Sequence, residues 1–83
     1  MPSSIFDSAH IVLVELLIEA RKSLGLNQTQ LGARVGRGQG FISLIERGQR
    51  RIDIIEFVAL ARALEKDPQS MFSKLLSPDE RGS

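Results

Sequence analysis

Between Arg21 and Arg51 the chain carries seven basic residues (Arg21, Lys22, Arg34, Arg37, Arg47, Arg50 and Arg51) against one acid, Glu46. The remainder holds four basic residues and nine acids, so a basic region sits on an acidic body. That arrangement is the electrostatic footprint of a face that grips phosphates. A solvated charged surface accounts for the same pattern, and charge alone does not choose between them. Other chemistries have less to work with. Cys is absent, which removes disulfides and thiolate metal sites. His10 is the one histidine, with no second His or acid at ligand spacing, so no metal is expected. No serine has a His and an acid arranged around it. The run Gly36-Arg37-Gly38-Gln39-Gly40 has the glycines of a phosphate loop but lacks the preceding strand and the Gly-Lys-Ser/Thr ending. Neither enzyme activity nor a cofactor is expected.

The 83 residues suit one domain, over 1–77, with a disordered polar tail over 78–83. A chain this short buries a modest fraction of its surface and gains from a partner subunit. Hydrophobic residues at 42% and charged residues at 25% are ordinary for a soluble globular domain, and a net charge of +1 decides nothing about partners. The longest apolar stretch, Ile11 to Ile18, contains Glu15 and stops at Glu19, far short of the ~20 residues that cross a bilayer. No export signal precedes it. These features lead to the expectation of a cytoplasmic protein without membrane contact.

The elements that must position the basic region read as five helices. The first is expected from about Ala9 to Leu24, capped by Ser8 or Asp7 and stopped by Gly25, with Leu13, Leu17, Ala20 and Leu24 on one stripe. The second begins at Asn27, where Gln30 completes a capping box, carries Leu31 and Val35 inward and ends at Gly36. The third runs from Gln39 to Arg47 with Ile42 and Ile45 on one face, before Gly48. The fourth starts at Asp53, with Glu56 three residues later, and shows Ile54, Phe57, Val58, Ala61 and Leu64. The fifth has Asp67 as cap and Pro68 at its first position, contributes Met71, Phe72, Leu75 and Leu76, and stops at Ser77-Pro78. No alternating pattern competes, and the fold class is all-α.

Two short helices joined by a tight turn at Gly36 have the geometry of a helix-turn-helix, here from Asn27 to Glu46. The turn needs a residue tolerant of positive φ, and close helix approach needs a small residue, which Gly32 supplies. A generic helical hairpin has the same ingredients.

The order and spacing of Gly25-Leu26-Asn27-Gln28-Thr29-Gln30-Leu31-Gly32, then Val35-Gly36, Ile42-Ser43 and Ile45-Glu46-Arg47-Gly48 resemble the lambda-repressor-like (Cro/cI, XRE-type) family. The resemblance covers about Leu13 to Leu76 and implies a compact five-helix domain that binds double-stranded DNA. It implies that Gln28 contacts a phosphate and braces the recognition helix. It also implies that Gln39, Gly40, Ser43 and Leu44 face bases, where a Gln amide pairs with adenine N6 and N7. Arg37, Arg47, Arg50 and Arg51 fall where the family grips phosphates. Arg21 and Glu46 match a structural ion pair between the first helix and the end of the third. Gly32 stands where Ala is commoner, which is expected to loosen the second helix by about 1 kcal/mol or less. Gly38 and Gly40 bracket Gln39, so the start of the third helix is expected to be mobile in the free protein and to order on DNA. Leu44 suits either a thymine methyl or plain cover for the helix.

A second apolar surface, with Ile11, Val14 and Ile18 on the first helix and Phe72 and Leu76 on the fifth, leads to the expectation of a two-fold homodimer. Its interface is expected to use Ile52, Ile55, Phe72, Leu75 and Leu76; closing the monomer core is the other use for these residues. The resulting expectation is a transcriptional regulator, a repressor on a palindromic operator, with no effector-binding domain. A protein-interaction adaptor or antitoxin on the same fold is the alternative, and its protein partner is left open.

Overall fold

The computed structural model describes residues 5–76, with side chains from Ser8 onward. Five helices follow in order: α1 Ile5–Ser23, α2 Gln28–Arg34, α3 Gln39–Glu46, α4 Ile54–Ala63 and α5 Pro68–Leu76. Among the described residues there is no strand, and no helix is long and apolar enough to cross a membrane. The tail expected over 78–83 and the Ser77-Pro78 stop lie outside the described residues.

Three of the helix starts, those of α2, α4 and α5, are written by side chains. Asn27 accepts from the Gln30 backbone N–H at 2.7 Å while the Gln30 side chain accepts from the Asn27 N–H at 2.9 Å, a reciprocal box that opens α2. Asp53 and Glu56 repeat it at α4, at 2.7 and 3.1 Å. At α5, Asp67 accepts from the Gln69 N–H and the Ser70 hydroxyl. The start of α1 differs from expectation. The helix begins at Ile5, so neither Asp7 nor Ser8 is its cap: the residues before Ala9 contain no Gly or inner Pro to stop the helix extending back through them.

The helix ends are written by backbone. After α1, α2, α3 and α4 the same paired hydrogen bonds recur, for example Gly36 N–H to Ala33 O and Arg37 N–H to Gly32 O at 3.2 and 2.8 Å. The turn demands a left-handed residue. Gly36 meets that demand after α2 with φ 72°, but after α4 it falls to Glu65, with φ 61°.

Leu16, Leu17, Ala20, Leu31, Ile42, Ile45, Phe57, Leu60, Ala61, Leu64 and Met71 form one buried cluster drawing on every helix. Leu31, Ile42 and Ile45 fill the wedge between α2 and α3, with Val35 half-buried beside them. On α1 the stripe is displaced from expectation: Val14 and Leu16 are buried, and Leu24 is exposed past the helix end. Of the three outer apolar residues expected on α1, Ile11 is exposed, Ile18 is half-buried and Val14 is buried.

Gly32 is the point at which α2 and the turn before α3 meet. A Cβ there would lie 2.8 Å from the carbonyl oxygens of both Arg37 and Gly38. The loosening expected from helix propensity is therefore offset: glycine is what lets the turn lie against the helix, and alanine has no room.

Candidate nucleic-acid interface

α3 presents Gln39 and Gly40 to solvent at its first turn and Leu44, 38% exposed, one turn later. Ser43 is half-buried between them. Gly38 caps the helix, so no side chain caps its first backbone N–H groups. The opposite face, Ile42 and Ile45, is anchored in the core.

A chain of polar contacts runs from α1 to the tip of α3. The Arg21 guanidinium donates from Nε to Glu46 Oε2 at 2.7 Å and from Nη2 to Oε1 at 2.9 Å, a bidentate pair. Its Nη1 donates to the Leu26 carbonyl at 2.8 Å. Both side chains are largely buried, with 11% and 8% exposure. Glu46 Oε1 also accepts from Gln28 Nε2 at 2.9 Å, and Gln28 Oε1 accepts from Gln39 Nε2 at 2.6 Å. Gln28, at the first position of α2, thus joins both ends of α3. The bond to Gln39 is the brace on the recognition helix that the resemblance implied, while the bond to Glu46, 18 residues away in sequence, has no local signal.

The arginines expected to meet phosphates divide into groups. Arg37 and Arg47 are exposed and form no ion pair among the described residues; Arg47 Nε bonds weakly to the Ser43 carbonyl at 3.4 Å. Arg50 is held by Glu56 through two 2.9 Å bonds and by the Arg51 carbonyl at 2.8 Å. Those bonds, with the Asp53 backbone N–H, lower the Glu56 pKa to about 2, and Glu56 in turn raises that of Arg50. Arg51 is exposed beside it. Phe41 was not among the residues expected at this face. Its ring lies under the guanidiniums of Arg37 and Arg50, with Cζ 4.9 and 4.8 Å from the centroid. Phe41 thereby gathers two of the basic side chains onto the flank of α3. A Phe four residues after an Arg, on a helix with a basic flank, was the available signal.

The residues expected at a dimer interface also divide. Ile52 and Leu75 pack against the core, while Ile55, Phe72 and Leu76 are exposed. The Phe72 ring stands edge-on to Phe57 at 6.5 Å, tying α5 to α4. Ile55 lines a shallow groove with Val35, Arg37, Phe41, Ala59 and Leu60.

The comparisons with known proteins agree with this architecture. The helix-turn-helix family model matches residues 17–70. An XRE-family like protein from Pseudomonas syringae pv. tomato superposes with a TM-score of 0.83 at 41% identity, covering 88% of this chain and 89% of that one. The restriction-modification controller protein C.AhdI from Aeromonas hydrophila has a TM-score of 0.71 at 28% identity, over 77% of this chain and 97% of its own. A point mutant of the controller protein C.Esp1396I, at 22% identity, shares the fold over the full length of both chains with a TM-score of 0.78. No curated protein sequence matches. The match over most of the chain and the 41% identity together show that this protein belongs to the XRE-type helix-turn-helix family, whose members are DNA-binding proteins rather than enzymes.

Proposed function

We propose that this protein is a transcriptional repressor that binds a palindromic operator as a homodimer, each protomer laying α3 into the major groove. The observation that carries the reading is the mounting of α3: its inner face is locked into the core while Gln39, Gly40 and Leu44 stand outward, with the exposed Arg37 and Arg47 on its flanks. Gln39, Gly40, Ser43 and Leu44 then meet base edges. Gln28, Arg37, Arg47, Arg50 and Arg51 hold the sugar–phosphate backbone. In this reading Arg50 reaches the backbone from its station on Glu56.

Ile55, at 74% exposure, Phe72 and Leu76, at 68%, supply apolar surface for a second copy, with Ile52 and Leu75 beneath. Two-fold pairing sets the recognition helices about 34–36 Å apart, one turn of the duplex. The controller C.AhdI among the similar structures supports a regulatory role.

The test is to select bound sites from random duplex DNA and then follow affinity against salt. Arg37→Ala and Arg47→Ala, each removing one phosphate contact per protomer, flatten the log–log salt slope of the dimer by about 1.8 apiece. Gln39→Ala relaxes base preference at one position of each half-site. A variant set with unchanged slopes, or a selection that yields no two-fold site, overturns the proposal. Sedimentation at tens of micromolar checks the dimer separately.

A further inference from the structure

The geometry points to Arg21 and Glu46, both remote from the outward face of α3, as positioning residues that make Gln39 read adenine and reject guanine. The inference rests on the proposal that Gln39 meets a base edge.

The argument is one of donor counting. An ionised carboxylate only accepts hydrogen bonds, so the end of the Gln28 amide that faces Glu46 has to be its NH2 group. Arg21 holds that carboxylate in place with two bonds of its own, leaving it no freedom to turn away. With its NH2 fixed inward, Gln28 presents its oxygen outward, and the Gln39 amide answers with its own NH2 at 2.6 Å. One of the two Gln39 hydrogens is then used. What remains is one hydrogen and one carbonyl oxygen, a donor beside an acceptor.

Adenine presents the complementary pair in the major groove, the N6 donor beside the N7 acceptor. Guanine presents two acceptors, O6 and N7. The restrained Gln39 satisfies adenine with both groups but meets guanine with an oxygen against an oxygen. If the Gln28 amide were free to turn over, it would offer its NH2 to the Gln39 oxygen. Both Gln39 hydrogens would then be free, and guanine would become acceptable. Glu46, held by Arg21, selects between these two states.

The test compares sites selected by four proteins: wild type, Gln39→Ala, Gln28→Met, and the double variant Arg21→Met/Glu46→Leu. The double change removes both charges together, since deleting one partner leaves the other buried and unpaired. Far-ultraviolet melting shows whether each variant is folded. Wild type should prefer adenine to guanine by about tenfold or more at one position per half-site, the scale of a good bidentate contact. In both relay variants that ratio should fall to within about threefold while preferences elsewhere in the site persist; a loss of structural support alone would weaken every position together. Relay variants that keep the wild-type ratio overturn the inference and leave base reading by Gln39 intact. A Gln39→Ala variant with unchanged preferences sinks the base-reading proposal itself, and the inference with it. If the double variant does not fold, Glu46→Gln decides in its place: its amide no longer has to accept from Gln28, so the adenine-to-guanine ratio should fall as in Gln28→Met, and an unchanged ratio overturns the inference.

Discussion

Replacing Gly32 with alanine sets two physical effects against each other, and the structure says which wins. Helix propensity alone favours alanine by about 1 kcal/mol. Against that, the new methyl carbon would sit 2.8 Å from two carbonyl oxygens and 3.1 Å from the Gly38 carbonyl carbon. These are backbone atoms, so relief requires the turn carrying Arg37 and Gly38 to retreat. Inserting a methyl into packed structure typically costs about 1–3 kcal/mol. Subtracting the propensity gain leaves a net loss of about 0–2 kcal/mol. At roughly 4–8 °C per kcal/mol for a domain of this size, the melting temperature should fall by up to about 15 °C. Because Gly38 caps α3, the retreat also re-aims that helix, and DNA affinity should fall further than stability. The control is Gly40→Ala, in α3, where an added Cβ meets nothing within 4 Å. There the propensity gain stands unopposed, and stability should rise by up to about 1 kcal/mol. The assay is thermal melting of both variants beside wild type, with anisotropy titration of labelled operator. A Gly32→Ala protein that melts above wild type, by an amount like that of Gly40→Ala, would refute the close-approach argument.

Other expectations follow from particular contacts. Glu56 has a pKa of about 2, so its contribution is fully present above the ordinary carboxylate value of 4.5 and is lost as pH falls toward 2. Glu56→Gln should therefore lose less stability than wild type across that window, as followed by urea melts at stepped pH; parallel curves would show that the Arg50 bonds add nothing. Glu65→Gly should stabilise the protein by about 0.5–1 kcal/mol, because it relieves a left-handed residue whose 3.5 Å contact with Arg34 is exposed and weak. Equal or lower stability by chemical denaturation would count against it. Amide exchange at Gly38 to Gly40 should be fast in the free protein and slow on operator DNA, since no side chain caps that helix end. Equal protection in both states would contradict this.

Where a structural decision is local, the sequence states it openly. Asn27 with Gln30 and Asp53 with Glu56 announce two helix starts, and Gly25, Gly36 and Gly48 announce three ends. Glu65 ends α4 in the same way with no announcement, because the backbone bonds from Glu65 and Lys66 to Arg62 and Ala61 impose a left-handed residue there whatever its type. Gly32 shows the limit of propensity: judged within its own helix it is a weakness, while its reason is a turn five residues ahead. The candidate site could be proposed from the sequence as a set of residue types at family spacing. The joining of Gln28 to Glu46, and of Arg37 and Arg50 over Phe41, depends on how α2, α3 and α4 close together, which no window of the chain contains.

The division of labour along α3 has a consequence for how such a chain diversifies. The helix is started, stopped and seated by groups that lie elsewhere: backbone turns, the inward isoleucines and the link to α1. Gly40 takes part in none of these, and Ser43 and Leu44 contribute only their backbone carbonyls. On the proposed reading, in which those three positions meet bases, substitutions there retarget the protein to a new DNA word with little penalty to the scaffold, whereas Gln39 is tied to its supports and changes only in concert with them.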